Sequence, residues 1–159
     1  MAVIWWFNDI SESFIEETGI KAFYLAQLYQ KKFNVPPGFI IQKDLFEQFI
    51  KDSDTENKLS TIYARIKEDN LEQSSKHIKE IILKQDLSEE IKEDIKEAYD
   101  ALNIDLESIT AERLLRPGSP NVALRPSPMS AELDSLLSKQ KCTILNIRGI
   151  EKLYESLKK

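Results

Sequence analysis

Arg125 closes a short apolar run, residues 122–124, and opens a turn formed by Pro126, Ser127 and Pro128. A second apolar run rich in β-branched residues follows at positions 142–147. An arginine delivered from a strand into a loop offers a rigid fork of N–H donors, which suits a phosphate or a carboxylate. The same spacing also fits a surface arginine on a turn, so the pattern alone leaves both interpretations open.

Lys21 is the second cation whose position in the sequence suits an anion site. It lies in the first turn of a helix predicted over residues 18–32, and Gly19 stands at the entry of that helix. The N-terminus of a helix carries unpaired amide donors and a partial positive charge, so a glycine followed by a lysine favours an anion site there. The Gly-x-Lys pattern is too common to identify the anion.

The sequence predicts no catalytic residue and no metal site. His77 is the only histidine, lies within a predicted helix among charged residues, and has no second histidine to share a metal ion. The alternating lysines and glutamates of the middle third predict solvated helix faces. Cys142, the only cysteine, is expected to be a buried, inert thiol, and a single cysteine suits the reducing cytoplasm.

Length and charge restrict the class of protein. A chain of 159 residues with 42% hydrophobic and 31% charged residues predicts one globular domain over residues 1–159. The net charge of −5 argues against a nucleic-acid surface. The opening apolar run, residues 1–7, is far shorter than the ~20 residues that cross a bilayer, so no membrane association is expected.

The strands and helices predicted around these two cations indicate an α+β fold. Four runs have strand character, at residues 3–7, 39–41, 122–125 and 143–147, and they predict a small mixed or antiparallel sheet. Amphipathic helices fill residues 44–102, and a further helix follows position 149. Residues 106–120 contain a turn-rich loop and are predicted to be a local insertion.

Several blocks, in order, resemble the pyruvate phosphate dikinase and phosphoenolpyruvate synthase family. They are TGIKAFYLAQL, FNVPPGFII, VALRPSPMSAEL and CTILNI, of which VPPGF is the most specific. The resemblance covers the N-terminal part of the ATP/AMP-binding domain, the first lobe of an ATP-grasp-like fold. It implies that Lys21 contacts nucleotide phosphates. It also implies that Arg125 and Ser127 stand at positions that bind the nucleotide in the family. ATP is the implied cofactor, with Mg²⁺ only where a complementary lobe is present.

The sequence departs from the family pattern beside each of these residues. Ile20 and Ala22 replace glycines, which adds bulk where backbone approaches phosphate closely. Pro126 and Pro128 flank Ser127 and remove two backbone N–H groups from the turn. These changes predict weaker contact with a triphosphate than the family pattern provides.

Three functional hypotheses follow. The first is an ATP-binding half-domain that is not catalytically complete alone and requires another polypeptide to supply the second lobe with its acidic metal ligands. The alternative is a non-catalytic protein-interaction module that keeps the scaffold with a degenerate nucleotide site. A self-sufficient small phosphotransferase is disfavoured, because the sequence offers no base or metal cluster. A lobe of this kind is expected to expose an apolar patch.

Overall fold

The structure, a computed structural model, describes residues 4–51, 54–102, 119–128 and 143–159. The β-strands of these residues are β1 (Ile4–Trp6), β2 (Phe39–Ile41), β3 (Asn121–Leu124) and β4 (Ile144–Arg148). The α-helices are α1 (Ile15–Thr18), α2 (Ile20–Gln30), α3 (Lys43–Lys51), α4 (Thr55–Tyr63), α5 (Leu71–Lys84), α6 (Glu89–Ala101) and α7 (Ile150–Leu157). Short 3₁₀ turns occupy Phe7–Asp9, Glu12–Phe14 and Glu68–Asn70.

The α+β prediction is confirmed, and each predicted strand run overlaps one strand. β1 pairs antiparallel with β2, and β3 pairs antiparallel with β4. The four strands thus form two separate two-stranded sheets instead of one shared sheet. Because a two-stranded ribbon is marginal by itself, each one depends on packing against helices.

The β1–β2 ribbon lies between two hydrophobic cores. The N-terminal core consists of Phe7, Ile10, Phe23, Ala26 and Ile40. The main core consists of Leu45, Phe49, Leu87, Ile91, Ile95, Tyr99, Ile147 and Leu153.

Each face of this ribbon packs against a different core. Trp5 lies opposite Ile40 and packs on the N-terminal core, whereas Ile4 lies opposite Ile41 and packs with it on the main core. Successive side chains of a strand point to opposite faces, so one ribbon forms a wall for both cores. This two-sided burial explains why β1 and β2 are apolar throughout and do not alternate with polar residues.

Helix α6 follows its predicted pattern closely. The Ser88 hydroxyl accepts a hydrogen bond from the Ile91 backbone N–H at 3.4 Å and caps the helix. Ile91, Ile95 and Tyr99 are buried on one face. Helix α3 departs from the amphipathic pattern, because Phe46 is apolar but 55% exposed.

The VPPGF block has a structural role. The Phe7 N–H donates to the Gly38 carbonyl oxygen at 3.2 Å, and a Cβ atom at Gly38 would lie 2.6 Å from the Phe7 ring. Gly38 therefore makes room for an aromatic ring of the N-terminal core. The backbone of Gly38 needs no glycine, since the glycines with positive φ among the described residues are Gly19 and Gly149.

Two predictions concern parts of the chain outside the described residues. The insertion at 106–120 is one of them, apart from its last two positions, and Cys142 is the other. Within the described ranges, none of the helices combines the length and the apolar character needed to cross a bilayer.

Candidate functional site

The loop after β3 meets the beginning of α2. The Ala22 backbone N–H donates to the Ser127 hydroxyl oxygen at 2.9 Å, across 105 positions of sequence. The first amides of a helix lack partners within the helix. Gly19, at the N-cap position, has no side chain with which to provide one. Ser127 therefore caps α2 from a distant part of the chain.

Gly19 allows this contact by backbone conformation and by size. Its φ is +79° and its ψ is 155°, a combination that L side chains rarely adopt. A Cβ atom at this position would lie 2.3 Å from the Ser127 carbonyl oxygen and 2.8 Å from that of Pro128. The group that approaches Gly19 closely is thus the chain's own backbone, and this backbone fills the space next to the glycine.

The contact places the three predicted binding residues at one junction. Lys21 lies one position before Ala22, in the first turn of α2, and its side chain is exposed. Arg125 precedes Ser127 by two positions, so their Cα atoms are at most about 7 Å apart. The structure thus brings Ser127 directly to the helix, and Arg125 lies two positions before Ser127 on the same loop.

Two features of this junction attract an anion, and they stand against Glu16 and Glu17 of the preceding helix α1. Arg125 is exposed and forms no hydrogen bond or ion pair with any residue that the structure describes. The first turn of α2 contains no acidic residue, so its partial positive charge is not offset within that turn. We refer to Lys21, Arg125, Ser127 and the start of α2 as the α2 junction.

Helix α2 is apolar on both sides. Phe23 and Ala26 are buried in the N-terminal core, whereas Ile20, Tyr24 and Leu28 are 40%, 59% and 40% exposed. Ile20 continues the apolar periodicity of the helix but does not belong to its buried face. A helix that is apolar all round gives the periodicity no single inward face. The three exposed residues, spaced four apart, form what we call the α2 stripe, and it begins beside Lys21.

Tyr99 is a buried residue whose role in positioning the β3–β4 ribbon the sequence analysis missed. Its hydroxyl donates to the Pro120 carbonyl oxygen at 2.5 Å and accepts from the Gly149 N–H at 2.8 Å. These groups lie just before β3 and just after β4, next to the pair formed by Asn121 and Arg148. The phenol therefore joins the two strands at one end of the ribbon, and Arg125 and Ser127 follow the other end of β3. The sequence signal for this role was a tyrosine on an apolar helix stripe. Such a tyrosine is buried, and its hydroxyl then needs a hydrogen-bond partner.

No group of three or more His, Cys, Asp or Glu side chains within the described ranges is placed to hold a metal ion. The α2 junction itself supplies cations and a hydroxyl. The described residues alone therefore do not fit a magnesium ion, which the sequence assigns only to a site completed by other carboxylates.

A family model for the pyruvate phosphate dikinase AMP/ATP-binding domain matches residues 15–159. The matched range includes Lys21, Arg125 and Ser127.

Three curated proteins are similar over nearly the whole chain. A probable phosphoenolpyruvate synthase of Methanocaldococcus jannaschii is 26% identical over all of this chain and 13% of its own length. One from Methanothermobacter thermautotrophicus is 26% identical over 96% of this chain and 22% of its own length. The phosphoenolpyruvate synthase of Aeropyrum pernix is 23% identical over 98% and 18%. The chain thus spans less than a quarter of each of these relatives.

Proposed function

Because the chain belongs to the pyruvate phosphate dikinase AMP/ATP-binding domain family, we propose that it binds the phosphates of an adenine nucleotide at the α2 junction. The observation that carries this proposal is the hydrogen bond between Ser127 and Ala22, since it brings the loop of Arg125 to the helix of Lys21. Without that contact, two residues more than a hundred positions apart would have no reason to act together.

Each residue of the junction has a distinct chemical role in this proposal. Lys21 supplies a compact positive charge at the helix end, whereas the Arg125 guanidinium can bind two phosphate oxygens at once. The Ser127 oxygen accepts from Ala22, which leaves its O–H free to donate to a phosphate oxygen. Ala22 N–H is already paired with Ser127, so the helix offers one amide fewer to the nucleotide.

We further propose that the site is one lobe of a larger site and that the chain alone does not transfer phosphoryl groups. Phosphoryl transfer depends on positioning and on metal ions that neutralise developing charge. The described residues hold no cluster suited to a metal ion. The curated relatives are much longer than the part that this chain matches. Another polypeptide surface would bring the carboxylates and Mg²⁺, in the reducing cytoplasm that the single cysteine suits.

Calorimetric titration of the purified chain with ATP and magnesium tests the proposal. Lys21→Ala and Arg125→Ala should each weaken binding by about tenfold or more, because each removes a charged partner of the phosphates. Lys31→Ala is the matched control, since Lys31 is an exposed lysine at the other end of the same helix. The proposal fails if the folded chain shows no saturable binding up to millimolar nucleotide.

A non-catalytic interaction module is the second candidate, and the exposed α2 stripe favours it. Ile20, Tyr24 and Leu28 form a continuous apolar surface of the kind that partner proteins cover. Under this hypothesis the calorimetric titration gives no heat of binding. A Tyr24→Glu substitution would then abolish association with a partner while leaving the circular dichroism spectrum unchanged.

A further inference from the structure

A concave surface lies between α4 and α5, apart from the α2 junction. This cleft has a volume of about 640 Å³, within the range of about 300–1,000 Å³ typical of small-molecule sites. Lys21, Arg125 and Ser127 are not among the residues that line it. Its walls are formed by α4, α5 and the turn between them, with Lys58, Ile62, Arg65, Gln73, His77 and Ile81 among the lining residues.

The two helices line this cleft with regularly spaced side chains. Lys58, Ile62 and Arg65 follow one another at intervals of four and three along α4 and just beyond its end, and Gln73, His77 and Ile81 at intervals of four along α5. Residues at these spacings lie on one helix face. The arrangement places polar donors on the walls and isoleucine side chains between them.

The charge of the cleft differs from that of the whole chain. Lys58 and Arg65 are set against a single carboxylate, Asp54, which gives the lining a net charge of +1 with His77 neutral. The whole chain carries −5. A small anion therefore meets a locally favourable potential here.

Some of the lining groups are already paired within the wall. Lys58 Nζ lies 3.6 Å from an Asp54 carboxylate oxygen, and the Asn57 amide donates to the other Asp54 oxygen at 3.1 Å. Both of these groups therefore have local partners.

Three other donors are not paired. The side chains of Arg65, Gln73 and His77 make no hydrogen bond or ion pair with any part of the chain that the structure describes. The main chain at Arg65 is nevertheless fixed, because its carbonyl oxygen accepts from the Asn70 side chain at 2.9 Å and its N–H donates to Ile62 at 2.9 Å. A fixed backbone with an unpaired guanidinium is suited to holding a ligand.

We propose that this cleft binds a small metabolite bearing a phosphate or a carboxylate, with its anionic group on Arg65. Gln73 and His77 donate to the remaining oxygens, and Ile62 and Ile81 contact the carbon portion. The proposal is independent of nucleotide binding at the α2 junction, with which the cleft shares no residue.

Nuclear magnetic resonance of the ¹⁵N-labelled chain tests it, with inorganic phosphate and succinate as separate probes at constant ionic strength. Saturable amide shifts at the lining residues are expected with at least one probe, and the comparison of the two probes separates phosphate from carboxylate recognition. Arg65→Gln should weaken this binding by about tenfold. Lys79→Gln, which removes an exposed cation from the opposite face of α5, should leave it unchanged.

The proposal is overturned by shifts that stay linear in probe concentration, or by equal losses in Arg65→Gln and Lys79→Gln. Either result would show general screening of surface charge. Shifts confined to Lys21 and Arg125 would also overturn it and would assign the anion to the α2 junction. His77→Ala provides a second variant on an exposed position, so the test does not depend on the folding of a single protein.

Discussion

The α2 junction and the α4–α5 cleft both present an arginine without a partner among the described residues, but they are built in different ways. Arg125 reaches its site through a contact that spans 105 positions and depends on the close approach at Gly19. Arg65 lies in a local helix pair whose two members follow each other in sequence. The first arrangement is therefore sensitive to single substitutions far from its cations, whereas the second depends mainly on the residues that line it.

Gly19→Ala should separate the two regions most strongly. The substitution combines an unfavourable backbone conformation with a collision against the Ser127 carbonyl, and it should lower the free energy of unfolding by about 3 kcal/mol or more. Urea denaturation measures this loss, and ATP binding should be lost with it. Anion-induced shifts in the α4–α5 cleft should persist under conditions where the variant is folded.

Gly149→Ala is the control for that substitution. Gly149 also has a positive φ, +92°, but a Cβ atom there would have open space around it. Gly149→Ala should therefore lower the free energy of unfolding only by the cost of the unfavourable backbone conformation, about 1–2 kcal/mol. Equal losses in the two alanine variants would contradict the importance of the contact between Gly19 and Ser127.

Tyr99→Phe should have the next largest effect and should act on the α2 junction alone. It leaves the Pro120 carbonyl and the Gly149 N–H without the phenol that pairs them, at a cost of about 2 kcal/mol. Because these groups join β3 and β4 at one end of the ribbon, amide shifts are expected in an NMR spectrum along both strands and as far as Arg125 and Ser127 beyond the other end. Unchanged spectra at those positions would show that the ribbon does not depend on the phenol.

Ser127→Ala tests the cap with little loss of volume. Loss of the acceptor for Ala22 N–H should destabilise the chain by about 1 kcal/mol, measured by denaturant unfolding. Ser127→Thr, which retains a hydroxyl, should recover part of that stability. Under the nucleotide proposal, Ser127→Ala also weakens ATP binding, whereas the α4–α5 cleft is unaffected.

Tyr154→Phe should have the smallest effect and should alter neither region. The Tyr154 hydroxyl donates to the Lys92 carbonyl at 2.6 Å. Loss of this hydrogen bond should lower the free energy of unfolding by about 1 kcal/mol at neutral pH. Burial, followed by the nearby Glu151 carboxylate, raises the pKa of this hydroxyl above 10.0. The folded chain holds the proton more tightly than the unfolded chain, so this contribution is complete below pH 10.0 and is lost as the pH rises through the raised value. Unfolding measured from pH 8 upward should show a smaller alkaline decline in the variant.

The sequence predicted local structure well because local signals decide it. The β-branched and aromatic runs at β2 and β4 and the amphipathic pattern of α6 are properties of a few neighbouring residues. Lys21 and Arg125 were selected from helix-end chemistry and from family resemblance. That they bind a nucleotide stays a prediction.

What the sequence could not predict involves contacts between distant parts of the chain. The division of the strands into two sheets, the cap that Ser127 provides and the two hydrogen bonds of Tyr99 each join residues at least 20 positions apart. The buried face of α2 could not be predicted for a different reason: its apolar residues surround the helix, so the buried side depends on which neighbour covers it. The α4–α5 cleft was missed because its polar residues also fit an ordinary solvated surface.

The shared wall formed by β1 and β2 has a consequence for cooperativity. Ile40 packs on the N-terminal core, whereas Ile41 packs on the main core. If one core lost its packing on the ribbon, apolar side chains would be exposed on a strand that the other core still requires. Neither core can therefore open alone at low free-energy cost. The slowest amide hydrogen exchange in the chain should occur along this ribbon, and it should report the unfolding of both cores as one event.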